Sequence, residues 1–556
     1  MKKTIKLTLV ACLALLACVL VLASCNIGNE TEDTTVPQHV HAFGEWATVK
    51  EPTSHDEGEK ERVCSCGEKE SEVISPTGSV GLEYEVNING STCTVTGRGT
   101  CTDTELYIGA EIDGYKVVAI GKKAFDDYDS ITKVTIADGI VSIGEFAFHN
   151  CTNITDIIIP GSVPRTGDYA FSGCSSLTNV TIGNGVANID SHAFSDCKSL
   201  ESITIPDSVT SIGDGAFSSC RKLKNITIPN SVTNIGRYAF YACSSLENVA
   251  LPDSLTCLQD IFRGCENLKN VTIPESVTKI YGGTFQECTN LESIIIPDSV
   301  TSIESSLFSR CTNLVSVTIG SGVTDIERSA FDECRKLVEI INKSSLRLTI
   351  GEDSECQLPY CVLEVHSGET KVVNKDGYLF YPYDGVNYLL RYDGNDTELS
   401  LPESFNGEDY EIHGYAFYER QEITSVSIPD SVTNIGEKAF TACTGLTELT
   451  IPGSVKKIGD KAFYYCVSVE HINILRGVEV IGKYAFDECR ELEHINLTDS
   501  VTLIGEHAFS RCPEVQSLTF EGSKAAWKDI IKESYWIPRG NYTIHCTDGD
   551  ITAQLS

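Results

Sequence analysis

The sequence predicts an α/β repeat fold: short coils stacked into a solenoid along a parallel β-sheet. Three observations carry this expectation. Phe returns at positions 125, 148, 171, 194, 217, 240, 262, 285, 308 and 331, and again at 417, 440, 463, 486 and 509. Every step within these two runs is 23 residues, except that from Phe240 to Phe262, which is 22. Cysteine stands three residues after thirteen of these phenylalanines. Ahead of them run apolar residues two apart, the spacing that puts side chains on one face of a strand. A fixed period of about 20–29 residues marks stacked coils, because one such unit cannot bury its apolar face alone.

The unit from Leu200 to Cys220 shows the chemistry. Leu200, Ile203 and Ile205 follow the L-x-x-L-x-L spacing of a leucine-rich-repeat strand. Pro206 ends that strand, having no N–H to give the ladder. Val209 and Ile212 point back inside, and Ala216, Phe217 and Cys220 form a short turn or helix with an inward face. At about 4.8 Å per coil, roughly fifteen coils give a parallel sheet on the order of 70 Å long. The signature I-P-x-S-V-x-x-I-G-x-x-A-F-x-x-C, as in Ile228 to Cys243, recurs from roughly residue 80 to residue 520. It resembles the BspA-like class of leucine-rich repeats, found in bacterial surface antigens and some protist surface proteins. The resemblance implies a surface protein that engages macromolecules.

Thirteen of the 24 cysteines occupy the Phe+3 slot. In an exported protein they read as a disulfide ladder; alternatively each is a small buried hydrophobe where other leucine-rich repeats place Leu. The inward position favours the second. Tyr128 and Arg420 fill the slot at the start of each run, where an exposed first coil does not need a buried thiol. Cys93 with Cys101, and Cys356 with Cys361, are the candidate disulfide pairs.

In chain order, residues 1–24 read as a secretory signal: Lys2, Lys3 and Lys6, an apolar run from Leu7 to Leu22, then small residues. Leu22-Ala23-Ser24-Cys25 resembles the bacterial lipobox. That implies cleavage before Cys25, a thioether-linked lipid on it, and a mature chain outside the cell, anchored to the outer face of a bacterial membrane. Residues 25–38 are polar and acidic, a flexible tether. Residues 39–75 form a small β module that breaks the repeat. His39, His41, Cys64 and Cys66 would supply a tetrahedral zinc site. The stretch resembles a module of surface proteins from gut-type bacteria, with H-x-H-x-F-G-x-W and a later R-x-C-x-x-C-G. Here Cys64-Ser65-Cys66 is one residue short of the usual knuckle, so a metal-free spacer pinned by Phe43 and Trp46 stays open.

Residues 76–124 read as an N-terminal cap with a hairpin turning at Asn89-Gly90, and 125–345 as the first array. The step from Phe331 to Phe417 is 86, not a multiple of 23. The insert at 346–408 repeats the opening module, with a hairpin at Asp384-Gly385; both turn pairs favour tight hairpins. The second array spans 409–520. Tyr378, Phe380, Tyr381, Tyr383, Tyr388 and Tyr392 crowd the insert. Tyr381, Tyr383 and Tyr388 are candidate ligand contacts, tyrosine being a binding-site residue, although a cap must use some of these rings to cover the core. Residues 521–556 close the far end, with one amphipathic helix over Ser523–Glu533 turning Trp527, Ile530 and Ile531 inward.

The residue between the two inward strand positions faces solvent. Stacked coils therefore present Thr181, Thr204, Thr227 and their equivalents as a hydroxyl ladder, a surface for a protein or glycan, or simply the composition that suits exposed strands. The net charge is −35, and loss of Lys2, Lys3 and Lys6 with the signal makes it −38. That excludes nucleic acid as a natural partner and keeps a long solenoid soluble. No nucleophile elbow, zinc-protease, P-loop or Ca²⁺-loop pattern occurs, so no enzyme is expected and no cofactor beyond the zinc. The sequence thus points to a lipid-anchored surface binding or adhesion protein. A structural spacer, or a glycan-capture lipoprotein, is the alternative.

Overall fold

A computed structural model describes residues 41–555 except 55, 75, 349–357, 360, 516 and 538–539. The signal, Cys25, the tether, His39 and Cys356 lie outside the described residues. Two compact units divide after Pro76.

The first unit is an antiparallel sheet of Ala47–Lys50, Gly58–Val63 and Lys69–Ile74, in that order. Its apolar side is thin. Arg62 lies 4.7 Å over the Trp46 ring and 5.0 Å over Phe43. Lys60–Glu72, Arg62–Glu70 and Lys69–Glu61 pair across the strands. Among the described residues of this unit only Gly58 and Cys64 are buried.

The second unit is the solenoid, and one coil explains the rest. Strand Ser202–Thr204 pairs in parallel with Asn225–Thr227, Ile203 opposite Ile226. Ile203, Ile205, Val209 and Ile212 are buried as the spacing predicts. Ser211–Ile212 forms a second, shorter strand paired with Asn234–Ile235. The segment around Phe217 is not a helix. Gly215 and Ser219 have φ of +58° and +59°. The same two positions, Phe−2 and Phe+2, turn left-handed through most coils, as at Phe146 and Asn150 or Tyr238 and Ala242. A left-handed residue every fourth position cannot sit in an α-helix. The N–H groups alternate instead. Ala216 N donates to Gly213 O within the turn, while Phe217 N donates 2.8 Å to Ala239 O of the next coil. The repeat is therefore all-β, and the predicted α/β class is corrected: the one helix among the described residues is Lys524–Asp529.

The Phe rings stack from coil to coil. Centroids are 5.0–6.0 Å apart from Phe125 to Phe331 and 4.7–5.3 Å apart from Phe417 to Phe509. Parallel-offset rings at this distance add roughly 0.5–1.5 kcal/mol per pair beyond their area.

The arrays have separate cores, one from Leu82 to Val362 and one from Tyr378 to Ile544. The hairpin Tyr378–Tyr383 and Val386–Tyr392 joins them, turning through Asp384 and Gly385 at φ +49° and +78°. Its alternate residues serve opposite sides. Tyr378, Phe380 and Leu389 belong to the second core, whereas Leu379, Tyr381 and Leu390 pack on Val315 and Val338 of the first array. At the far end Ser523 caps the helix, accepting from Ala526 N at 3.2 Å. Trp527 and Ile530 are buried, but Ile531 is 63% exposed. The helix stops early because Ile531–Lys532 pairs with Leu503–Ile504 as one more strand, which turns Ile531 outward.

Candidate functional site: the strand face and the array junction

The ladder on the strand face is formed as spacing requires. Thr181, Thr204 and Thr227 are exposed. Thr204 lies in register with Thr227, Thr227 with Ala250, and Ala250 with Thr272. The ladder runs into a groove of about 740 Å³ near the end of the first array, with Ile295 and Thr318 on its floor and Thr370 and Val372 on its rim. Ile295 is 65% exposed there. One buried carboxylate holds the rim. Glu339 is fully buried and accepts from Ser316 Oγ, Thr370 Oγ1 and Lys371 N at 2.6–2.8 Å, and it lies 2.9 Å from His366 Nε2. In the second array His471 and His494 stack in register at 4.9 Å beside Asn473 and Asn496. The spacing of 23 that places them side by side was in the sequence, but neither residue was singled out there.

The insert tyrosines belong mainly to packing. Tyr381 is fully buried and its hydroxyl donates 2.8 Å to Glu364, so it is not a ligand contact; burial and that carboxylate push its pKa up. Tyr383 and Tyr388 are half-buried against the joint between the arrays. The hairpin needs both of its faces, since a core lies on each side.

Beside the hairpin the two arrays leave a cleft of about 560 Å³. Asn290 donates 2.9 Å to Asn267, Asn313 donates 3.1 Å to Asn290, and Lys336 donates 3.0 Å to Asn313. This amide ladder ends on the ammonium of buried Lys336. Burial first, then the charges of Arg391 and Arg420, pull the Lys336 pKa from the lysine range to about 7. Arg391 is spoken for by Glu292 at 2.6 Å and Asp393 at 2.7 Å. Arg420 bonds the Tyr392 and Gly394 carbonyls at 2.8 Å each and pairs with Glu422. It stands where other coils place the thiol, which is why that slot has no cysteine.

Elsewhere the thiols do one thing. All thirteen Phe+3 cysteines aim Sγ at the carbonyl of the preceding coil's Phe, as Cys220 does to Phe194 O at 3.1 Å. They are free thiols, as are Cys93, Cys101 and Cys361. The proposed Cys93–Cys101 disulfide is therefore absent here.

In the N-terminal unit His41, Cys64 and Cys66 bring their ligand atoms within 4.8 Å of one another. His41 Nδ1 lies 3.3 Å from Cys66 Sγ, and His41 Nε2 lies 3.2 Å from Glu68.

The BspA-type leucine-rich-repeat region matches residues 118–246, 234–354 and 410–531, in 6 copies. The chain belongs to the BspA-type leucine-rich-repeat family. A leucine-rich-repeat protein from Bacteroides ovatus is 27% identical, matched over 76% of this chain and 94% of its own, at a TM-score of 0.44. The T. pallidum leucine-rich-repeat protein is 30% identical over 39% of this chain and 90% of its own, at 0.31. A leucine-rich cell surface protein from Faecalibacterium prausnitzii is 23% identical over 83% and 99%, at 0.30. No curated protein sequence matches the chain. Among the described residues no helix is long and apolar enough to cross a membrane.

Proposed function

We propose that this BspA-type chain is a cell-surface binding or adhesion protein that engages a macromolecule along its strand face, held at the membrane by lipid on Cys25. The observation that carries the reading is the in-register ladder of exposed Thr204 and Thr227 leading toward an apolar groove at Ile295. Repeated hydroxyls supply hydrogen bonds at a coil-to-coil spacing, and the groove supplies a desolvated centre, the combination that specific interfaces use. A spacer would need no such groove. A glycan-capture protein would be expected to line the face with aromatic rings. The test is binding of the full chain to protein and glycan arrays, compared with Thr204→Glu/Thr227→Glu and with Ile295→Asp. Loss of the retained ligands in both variants supports the reading. Binding unaffected by either, or no ligand at all, overturns it.

The same reading gives the N-terminal unit a zinc ion on His41, Cys64 and Cys66. What supports it is the convergence of three donors in a unit with almost no apolar core, where a metal commonly replaces packing. One equivalent of zinc by elemental analysis, lost in Cys64→Ser/Cys66→Ser, is the expected result. A metal-free protein with a stable N-terminal unit would count against it.

A further inference from the structure

We propose that the cleft between the two arrays is a binding site for an acidic sugar, a uronic or sialic acid residue, whose carboxylate pairs with Lys336 and whose ring rests on Tyr415 and Tyr418. This goes beyond the strand-face reading and does not depend on it.

The first argument is charge left over. Lys336 is buried at the wall of the cleft, 9% exposed, yet its ammonium meets only the Asn313 side chain at 3.0 Å and the Ala416 carbonyl at 3.5 Å. Among the described residues no carboxylate pairs with it. Those of Glu292, Asp393 and Glu422 are held by Arg391 and Arg420, and Glu419 bonds Tyr418. A buried charge without a counter-ion is costly, and here that cost appears as a lowered proton affinity, so the ammonium readily gives up its proton. An anion seated beside it restores the charged form and satisfies the third ammonium proton. A fold that only needed to close the junction would be served better by Leu or Met.

The second argument is the wall. Tyr415 and Tyr418 are half-buried with ring centroids 5.5 Å apart; Arg335 lies 5.6 Å and 5.0 Å over them, and Lys438 lies 4.9 Å over Tyr415 and donates to its hydroxyl. The ring surface these cations leave uncovered gives a sugar something apolar to rest on while its acid is held. The volume of about 560 Å³ fits one or two sugar rings and lies within the range of small-molecule sites. The third argument is selectivity. The chain as a whole is strongly acidic at −35, so anions are repelled in general and enter only where a specific cation waits.

The test is isothermal titration of the full chain at neutral pH with glucuronate, N-acetylneuraminate, glucose, glutamate and sulfate. Lys336→Met keeps length and fills the buried site. Tyr418→Ala removes one ring, and thermal unfolding of both variants checks their fold. At least one acidic sugar should bind, at least about tenfold more tightly than glucose, glutamate or sulfate, and about tenfold more weakly to each variant. The proposal is overturned if no acidic sugar binds at millimolar concentration, or if glucose binds as well. It is also overturned if glutamate or sulfate matches the sugars, which would make the cleft a bare anion site. Unchanged affinity in folded Lys336→Met overturns it as well.

Discussion

At the residue scale the cysteine is the informative choice. Its slot suits any small apolar side chain, but each repeat thiol also donates to a Phe carbonyl that the coil geometry leaves facing inward. Sulfur is a weak donor of about the right reach, so one residue fills the space and gives that carbonyl a second donor beside the backbone N–H of its own coil's cysteine. Cys220→Ala should cost about 1–2 kcal/mol in chemical unfolding, through lost packing and one weak hydrogen bond, since Phe194 O keeps the bond from Cys197 N. Burial holds the Cys220 pKa well above its ordinary value. The repeat thiols should therefore resist a small alkylating reagent until denaturant is added, and react then without reductant. A requirement for reductant would show disulfides instead. Lys336 gives a second residue-scale prediction. Its folded pKa is about 7, below the ordinary lysine value. Between those two values the unfolded chain holds the extra proton, so this group's penalty is full below pH 7 and fades as pH rises toward 10. Lys336→Met should exceed the wild type in stability by on the order of 3 kcal/mol at pH 6, and the gap should close by pH 10.

At the element scale the loop over the end of the first array depends on one side chain. Glu339 gathers Ser316, His366, Thr370 and Lys371 around a carboxylate sealed from water. Removing it leaves several buried polar groups unpaired. Glu339→Ala should cost about 3–5 kcal/mol, and hydrogen exchange should speed up at residues 364–372 ahead of the strands beneath. Uniform acceleration along the whole first array would mean that the carboxylate supports the coil and not the loop. The left-handed turns make another element-level statement. Ala242 has φ of +54°, a conformation that costs a side-chain-bearing residue about 1 kcal/mol. Ala242→Gly should raise the midpoint of unfolding slightly, despite the entropy glycine adds to the unfolded chain.

At the scale of the molecule, two cores meet at one joint, built on the hairpin and on polar contacts such as Lys336 to the Ala416 carbonyl and Arg335 over Tyr415 and Tyr418. A stack of coils unfolds cooperatively only as far as neighbour contacts are strong, and the apolar part of the joint is only five buried residues. Denaturation should therefore show two transitions, and Tyr381→Ala should widen the gap between them. A single transition unchanged by that substitution would mean the arrays are strongly coupled. For the proposed anchor, labelled palmitate should enter the wild type and be lost in Cys25→Ala; equal label in both would overturn the lipid.

The repeat period, the inward Ile, Val, Phe and Cys positions, the outward Thr ladder and the hairpin turns were legible in the sequence. Each depends on spacing along the chain, and stacking converts spacing into position. The family itself was legible for the same reason. Tertiary structure decided the rest. It decided that the segment around Phe217, expected as a turn or helix, is a run of left-handed turns, because each coil gives every second N–H to its neighbour. It ended the C-terminal helix before Ile531 to make one more strand. It put Tyr381 inside, since a hairpin between two cores has no solvent face. And it set Lys336 in the array junction with Arg391 and Arg420, residues 55 and 84 positions away, whose charges bear on one another only because two separate arrays fold back to meet there.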